Sequence, residues 1–268
     1  MSCTLTLYFY PSPHGVDWAS PRSLARSVLL NQLSFAGHPI GHVQIGLESP
    51  GTRRFATGMV QISMPEQRKK IIQEGLGLGT LFRDFPGRIE TTDAIYPEIQ
   101  GRFSRGNISY LKFLVSPAAH ARALTYAREY VERGYSAHYG LPNRPLYGEG
   151  AGCSAFAASF LEVTGLLDPE FFSAWSRTIC VPEKWIGGVD RKVSLLGLLD
   201  PRGSSSWATE SEPHRKIFFW DPDLMHSWAL RVWSSDERPF GREKTKNACG
   251  LILDRRDAVV PQGTVWKV

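Results

Sequence analysis

The run Tyr147-Gly148-Glu149-Gly150-Ala151-Gly152-Cys153-Ser154-Ala155-Phe156-Ala157 constrains the fold more than any other segment of the 268-residue chain. Residues from Cys153 to about Thr164 read as a compact helix, closed by Gly165. Glycine at 148, 150 and 152 lets the backbone enter that helix through a tight turn. Ala155, Ala157, Ala158 and Ser159 keep the helix slim enough to lie close against a sheet. A cysteine on its first turn sits at the positive end of the helix dipole, which favours thiolate over thiol. The free amides of the same turn can stabilise an oxyanion. The competing reading is an inert thiol, because free cysteine is among the most buried residue types.

The rest of the chain supplies a sheet for such a helix. Leu5–Tyr10 alternates and reads as a strand. Ser20-Pro21 opens a helix with Leu24, Val28 and Leu29 on its buried stripe. His42–Glu48 alternates strictly, and Phe55–Ile62 returns beyond the turn Ser49-Pro50-Gly51-Thr52, making a hairpin. A capping-box spacing starts a short helix at Ser63-Met64-Pro65-Glu66. Residues 76–106 read as a surface loop, Ile108–Val115 as a strand, and Ser116-Pro117 as the start of a helix that stops at Gly134. Asp168-Pro169-Glu170 starts another helix. In the last third, 201–214 and 234–247 read as polar loops, with strand-like pieces at Lys216–Trp220, Ser227–Trp233 and Ala248–Leu253. The absence of a clean linker favours one α+β domain over 1–268, with a core at 37–165 and a β-rich elaboration at 166–268.

A thiolate nucleophile needs a base. The strand from His42 turns Val43, Ile45 and Leu47 to the core and His42, Gln44 and Glu48 the other way. An imidazole on a polar strand edge can take and return the proton of a helix-borne thiol. His138 is the second choice because it lies near Cys153 in sequence; His38 sits on the preceding turn, and His120 reads as solvated.

Gly41-His42-Val43-Gln44-Ile45-Gly46-Leu47-Glu48 resembles the histidine strand of the permuted NlpC/P60 superfamily, and Gly152-Cys153-Ser154-Ala155-Phe156 resembles its cysteine helix. The resemblance covers residues 37–165, with the histidine strand ahead of the cysteine helix as in the permuted order. It implies a papain-like fold: an antiparallel sheet packed against the helix that bears the nucleophile. It also implies a third polar residue that orients the histidine. Pairing about Pro50-Gly51 puts Gln61 near His42 in that role, with Thr57 and Gln44 as alternatives. No Asn precedes Cys153 and no second histidine closely follows His42, both departures from the related lecithin:retinol acyltransferase pattern.

The implied activity is that of a cysteine amidase or peptidase working through an acyl-enzyme. A peptidoglycan stem peptide of the cell wall is the first candidate substrate, by analogy alone. Acyl transfer or lipid (thio)ester hydrolysis, or a non-catalytic binding role on the same fold, are the alternatives. Tyr147 and Glu149, in the loop before the nucleophile, are expected substrate contacts, and loop surface is their other reading.

Composition narrows the partners. No cofactor is implied, and the four cysteines at 3, 153, 180 and 249 contain no CxxC pair of zinc-ribbon type. Cys180 and Cys249 could pair in an exported protein. The net charge of +5 is spread thinly, Arg68-Lys69-Lys70 and Arg242–Lys246 being the densest runs, and no nucleic-acid module is visible. No signal peptide and no membrane span is read, so export would require a leader that was removed. All tryptophans but Trp18 lie between 175 and 266 and read as an aromatic core under long loops. Asp221, Asp223 and His226 have unspecific metal-ligand spacing, and Asp221-Pro222-Asp223 is better read as a turn.

Overall fold

The computed structural model describes residues 2–34, 38–51, 53–62, 73–188, 191–199, 205–235 and 239–268. Residues 63–72 of the helix expected from Ser63 to Gly75, including the basic run Arg68–Lys70, lie outside the described residues.

The architecture is mixed α+β. Its main strands are β1 (Cys3–Tyr10), β2 (His42–Glu48), β3 (Phe55–Gln61), β4 (Phe85–Ile89), β5 (Ser109–Val115), β6 (His138–Tyr139), β9 (Gly241–Thr245) and β10 (Ala248–Arg255). They form one eight-stranded sheet of order β6-β4-β3-β2-β1-β5-β10-β9. Two further strands, β7 (Ser176–Pro182) and β8 (His214–Trp220), make a separate antiparallel pair. The helices that matter to the site are α1 (Pro21–Leu33), α2 (Thr92–Arg105), α3 (Pro117–Glu132), α4 (Cys153–Thr164), α5 (Pro169–Trp175) and α6 (Pro222–Ser234).

The expected β2–β3 hairpin forms, with Ile45 opposite Thr57 and Gln44 opposite Gly58. The sheet is antiparallel except where β10 runs parallel to β5. Helices cover both faces, as alternation along each strand requires. On one face Leu7, Phe9, Val43, Ile45, Leu111 and Phe113 pack against α3, α4, α5 and α6. On the other, Tyr8, Tyr10 and Tyr110 pack against Ile95, Ile99 and Phe103 of α2. The polar face expected along β2 is therefore buried too, from His42 to Leu47. Each fully buried large apolar side chain contributes about 1.5–3 kcal/mol, so the double covering fixes the strand order firmly.

Four expected loops or strands are corrected. Residues 76–106, expected as surface loop, supply β4 and α2. Ile95, Ile99 and Phe103 at four-residue spacing give α2 its buried stripe, which the nearby Gly and charged residues obscure in sequence. Ser227–Trp233, expected as a strand, belongs to α6, where Met225, Trp228, Ala229 and Val232 share one buried side at helical spacing. Asp221-Pro222-Asp223 is the start of that helix rather than a turn between strands: Asp221 accepts from the amides of Asp223 and Leu224 at 2.8 and 3.3 Å. Gly241–Thr245, within the expected loop 234–247, forms β9 on the edge of β10.

The C-terminal third does not stand apart as an elaboration on a 37–165 core. β1 is central to the sheet, β10 pairs with β5, and Trp175, Trp228 and Trp266 are buried in the main core. All four cysteines are free thiols, so Cys180 and Cys249 are not paired. Among the described residues no helix is long and apolar enough to cross a membrane.

Candidate active site

α4 begins at Cys153, after Gly152 at the cap position, and ends on Gly165 in the left-handed region (φ 74°). Almost every side chain of this helix is buried, because it is wedged between the sheet, α3 and the β7–β8 hairpin. The segment before it presses against β6: the amide of Ala151 donates to the His138 carbonyl at 3.2 Å. Gly150 has φ 80°, and a Cβ there would lie 2.3 Å from that same carbonyl oxygen. Position 150 thus requires glycine on both conformational and steric grounds.

His42 opens β2, directly after Gly41 (φ 77°). The residue is buried, 2% exposed, and its imidazole is close enough to the Cys153 thiol for each group to shift the other's ionisation. The other partner of the ring is Glu90, just beyond β4, whose Oε2 lies 2.8 Å from His42 Nε2. A carboxylate only accepts, so Nε2 carries the proton there and Nδ1 is the nitrogen left to face sulfur. Gln44 Nε2 donates to the same Glu90 oxygen at 3.0 Å, and the Tyr10 hydroxyl donates to Gln44 Oε1. Hydrogen bonds thus link Tyr10, Gln44, Glu90 and His42 in series, and His42 in turn acts electrostatically on Cys153. His38 lies flat on His42, ring centroids 4.1 Å apart at an interplanar angle of 1°, and its own Nε2 is 3.2 Å from Glu98.

These contacts set the electrostatics. Burial pushes the Cys153 thiol up, but the His42 imidazole, the Ser154 hydroxyl and the Val43 amide outweigh it and leave the thiol below its ordinary value. Burial pushes His42 down, but Cys153 and Glu90 outweigh that and raise the imidazole well above the ordinary histidine range. Glu90 is raised by burial and lowered by His42 and Gln44, with a net fall. Burial and the charge on His42 lower His38, so of the two stacked rings His42 is the one that holds the proton. Together these directions favour the charged forms of both Cys153 and His42, with the Glu90 carboxylate beside the imidazole.

Tyr139, on β6, lines the same cleft as Cys153, and its hydroxyl is close enough for the thiol to shift its ionisation. Burial and the neighbouring thiol raise that hydroxyl well above the ordinary tyrosine value, so it remains a proton donor.

The thiol opens onto a cleft of about 260 Å³ whose walls are largely apolar, including Trp18, Leu24, Val28, Leu81, Leu141 and Phe219. Cys153, Ser154 and Tyr139 lie on its floor.

The expected site is thus brought together in part. Cys153 and His42 are electrostatic neighbours. Gln61 does not meet His42: it pairs with Gly87 of β4, whereas the β2–β3 register runs from Leu47 opposite Phe55 to Gln44 opposite Gly58 and carries Gln61 past His42. Its place on the imidazole is taken by Glu90; Gln61 lines the cleft instead. Gln44 braces Glu90, and Thr57 is buried opposite Ile45. Tyr147 and Glu149 do not line the cleft beside Cys153. Glu149 accepts from the Arg144 amide at 2.9 Å and Nε at 3.0 Å, and the Arg144 guanidinium lies over the Tyr147 ring at 4.3 Å. His138 is exposed and bonded to Asp84 at 2.7 Å, away from the thiol. His120, expected to be solvated, is buried with Nε2 unpartnered. Glu90 and Tyr139 are beyond the reach of the sequence reading. Glu90 is far from both Cys153 and His42 along the chain, Tyr139 lies in a loop-like stretch, and no local motif marks either one. Comparison with protein-family models, with curated proteins and with solved structures found no match to this chain.

Proposed function

We propose that the protein is a cysteine acyl hydrolase or acyltransferase on a papain-like, permuted NlpC/P60 type of fold. The observation that carries this reading is the buried Cys153–His42–Glu90 series, with its thiolate end on an open cleft. The Cys153 sulfur attacks an acyl carbonyl. The His42 imidazolium then gives its proton to the leaving group, which departs as the thioester forms. Water, or another acceptor deprotonated by His42, attacks the thioester and releases the acyl group, returning the thiolate. The Cys153 amide and the Tyr139 hydroxyl hold the oxyanion of each tetrahedral intermediate.

The substrate reading depends on the cleft. An amide such as a peptidoglycan peptide is what the resemblance implies, but such a peptide is polar and the walls beside the thiol are apolar. An apolar acyl group, presented as an ester, thioester or amide, matches those walls better. The test is hydrolysis of p-nitrophenyl and thioester substrates of increasing acyl length by wild type and Cys153→Ala. Turnover that rises with chain length and vanishes in Cys153→Ala supports the reading. Full activity in Cys153→Ala overturns the nucleophile. Activity on cell-wall peptides but not on acyl esters would return the amide to first place. A wild-type thiol that reacts with iodoacetamide no faster at neutral pH than an ordinary cysteine would favour the non-catalytic binding role.

A further inference from the structure

Outside the cleft, the described residues contain one group of three metal-ligating side chains, Cys180, Glu210 and His214, whose donor atoms lie within 4.8 Å of one another. Cys180 belongs to β7 and His214 opens β8; Glu210 lies in the segment leading into β8. The geometry points to a zinc-type divalent cation site at these three residues, with its fourth position open to water.

The hydrogen-bond geometry around the three residues suits a cation. His214 Nδ1 lies 2.7 Å from the Glu212 carbonyl oxygen. A carbonyl can only accept, so Nδ1 carries a hydrogen there, and Nε2 is the ring nitrogen that faces Glu210. Glu210 Oε2 is 3.7 Å from Nε2, longer than a direct hydrogen bond, and the Cys180 sulfur lies within 4.8 Å of both. The other oxygen of Glu210, Oε1, accepts from Lys216 Nζ at 2.6 Å, which leaves Oε2 for a single metal bond. A backbone carbonyl fixing the far nitrogen of a ligating histidine is the usual outer arrangement of metal sites. Donor atoms about 3.5 Å apart suit tetrahedral zinc. The 3.7 Å pair already approaches that spacing, and Glu210, at 72% side-chain exposure, is free to close it.

A cation here would have a structural consequence for the cleft. The Ala208 amide donates to the Cys180 carbonyl at 2.9 Å, and the Trp207 indole donates to the Trp18 carbonyl at 2.6 Å. Trp18 and Phe219 are cleft walls. The ion would tie the 205–213 segment to β7 and so hold that wall.

Cobalt(II) serves as the probe, added to the full chain after removal of bound metal, with zinc as competitor. The expected result is a thiolate-to-cobalt charge-transfer band at one equivalent, displaced by zinc, present in Cys153→Ser and lost in Cys180→Ser. His214→Gln should weaken cobalt binding by at least about tenfold. Zinc should raise the melting temperature of wild type but not of Cys180→Ser. Absence of the band in folded wild type, or its survival in both Cys180→Ser and His214→Gln, would overturn the site and leave only a His214–Glu210 side-chain contact. Loss of the band in Cys153→Ser alone would assign the metal to the cleft and overturn the proposal equally.

Discussion

Replacing Glu90 by Gln removes one negative charge from the imidazole and keeps an acceptor oxygen in nearly the same place. The Nε2–Oε2 contact is 2.8 Å, and the Glu90 side chain is only 11% exposed. That contact puts the two charge centres about 4 Å apart, where unit charges attract by about 4 kcal/mol at an effective dielectric near 20. A neutral amide oxygen recovers about 1 kcal/mol as an ordinary hydrogen bond. The net loss of about 3 kcal/mol falls on the imidazolium, and through it on the thiolate. At about 1.4 kcal/mol per factor of ten, Cys153 should react about 100-fold more slowly near neutral pH. The assay is the rate of iodoacetamide modification of Cys153, followed by mass spectrometry of the peptide across a pH series. In wild type the rate should rise at a pH below that of an ordinary thiol, and in Glu90→Gln the rise should move to higher pH. A Glu90→Gln rate within about threefold of wild type at neutral pH would refute the argument, because a charge at that distance in a buried site cannot be neutral to the pair.

His42→Ala removes the largest influence that lowers the thiol and leaves only the Ser154 hydroxyl and the Val43 amide to oppose burial, so the alkylation inflection of Cys153 should rise above that of wild type; an unchanged inflection would dissociate the two residues. The acyl-transfer rate should be bell-shaped in pH. It rises through the lowered thiol on the acid side as the thiolate forms, and falls through the raised imidazole on the alkaline side as the imidazolium is lost; an alkaline limb at the ordinary histidine value would contradict the pairing. Tyr139→Phe should lower kcat by about 100-fold with KM little changed, as loss of one oxyanion donor does, and an effect confined to KM would make Tyr139 a binding residue. Gly150→Ala should destabilise the fold by about 2 kcal/mol or more, read as a fall in Tm, since the Cβ would lie 2.3 Å from the His138 carbonyl at a left-handed φ of 80°.

Local chemistry is enough for some parts of this protein. The glycines before Cys153, the small residues after it and Gly165 behind it specify a short slim helix, because capping, dipole and backbone freedom act within a few residues. Strict alternation identifies β2 and its hairpin partner in the same way. The pairing of Cys153 with His42 is reachable because each residue sits at the start of an element that local pattern identifies. Other features depend on contacts that sequence spacing does not record. β1 is central to the sheet and β10 closes beside β5, so the last third belongs to the core; strand order is decided by which apolar faces bury each other, not by proximity along the chain. The β2–β3 register, too, is set by packing on both faces. It carries Gln61 past His42 and leaves the imidazole to Glu90, at the end of β4. Glu90 and Tyr139 become part of the site only because the sheet brings β4 and β6 to the start of α4. A carboxylate or phenol in sequence has no sign of its partner until a fold removes the water between them.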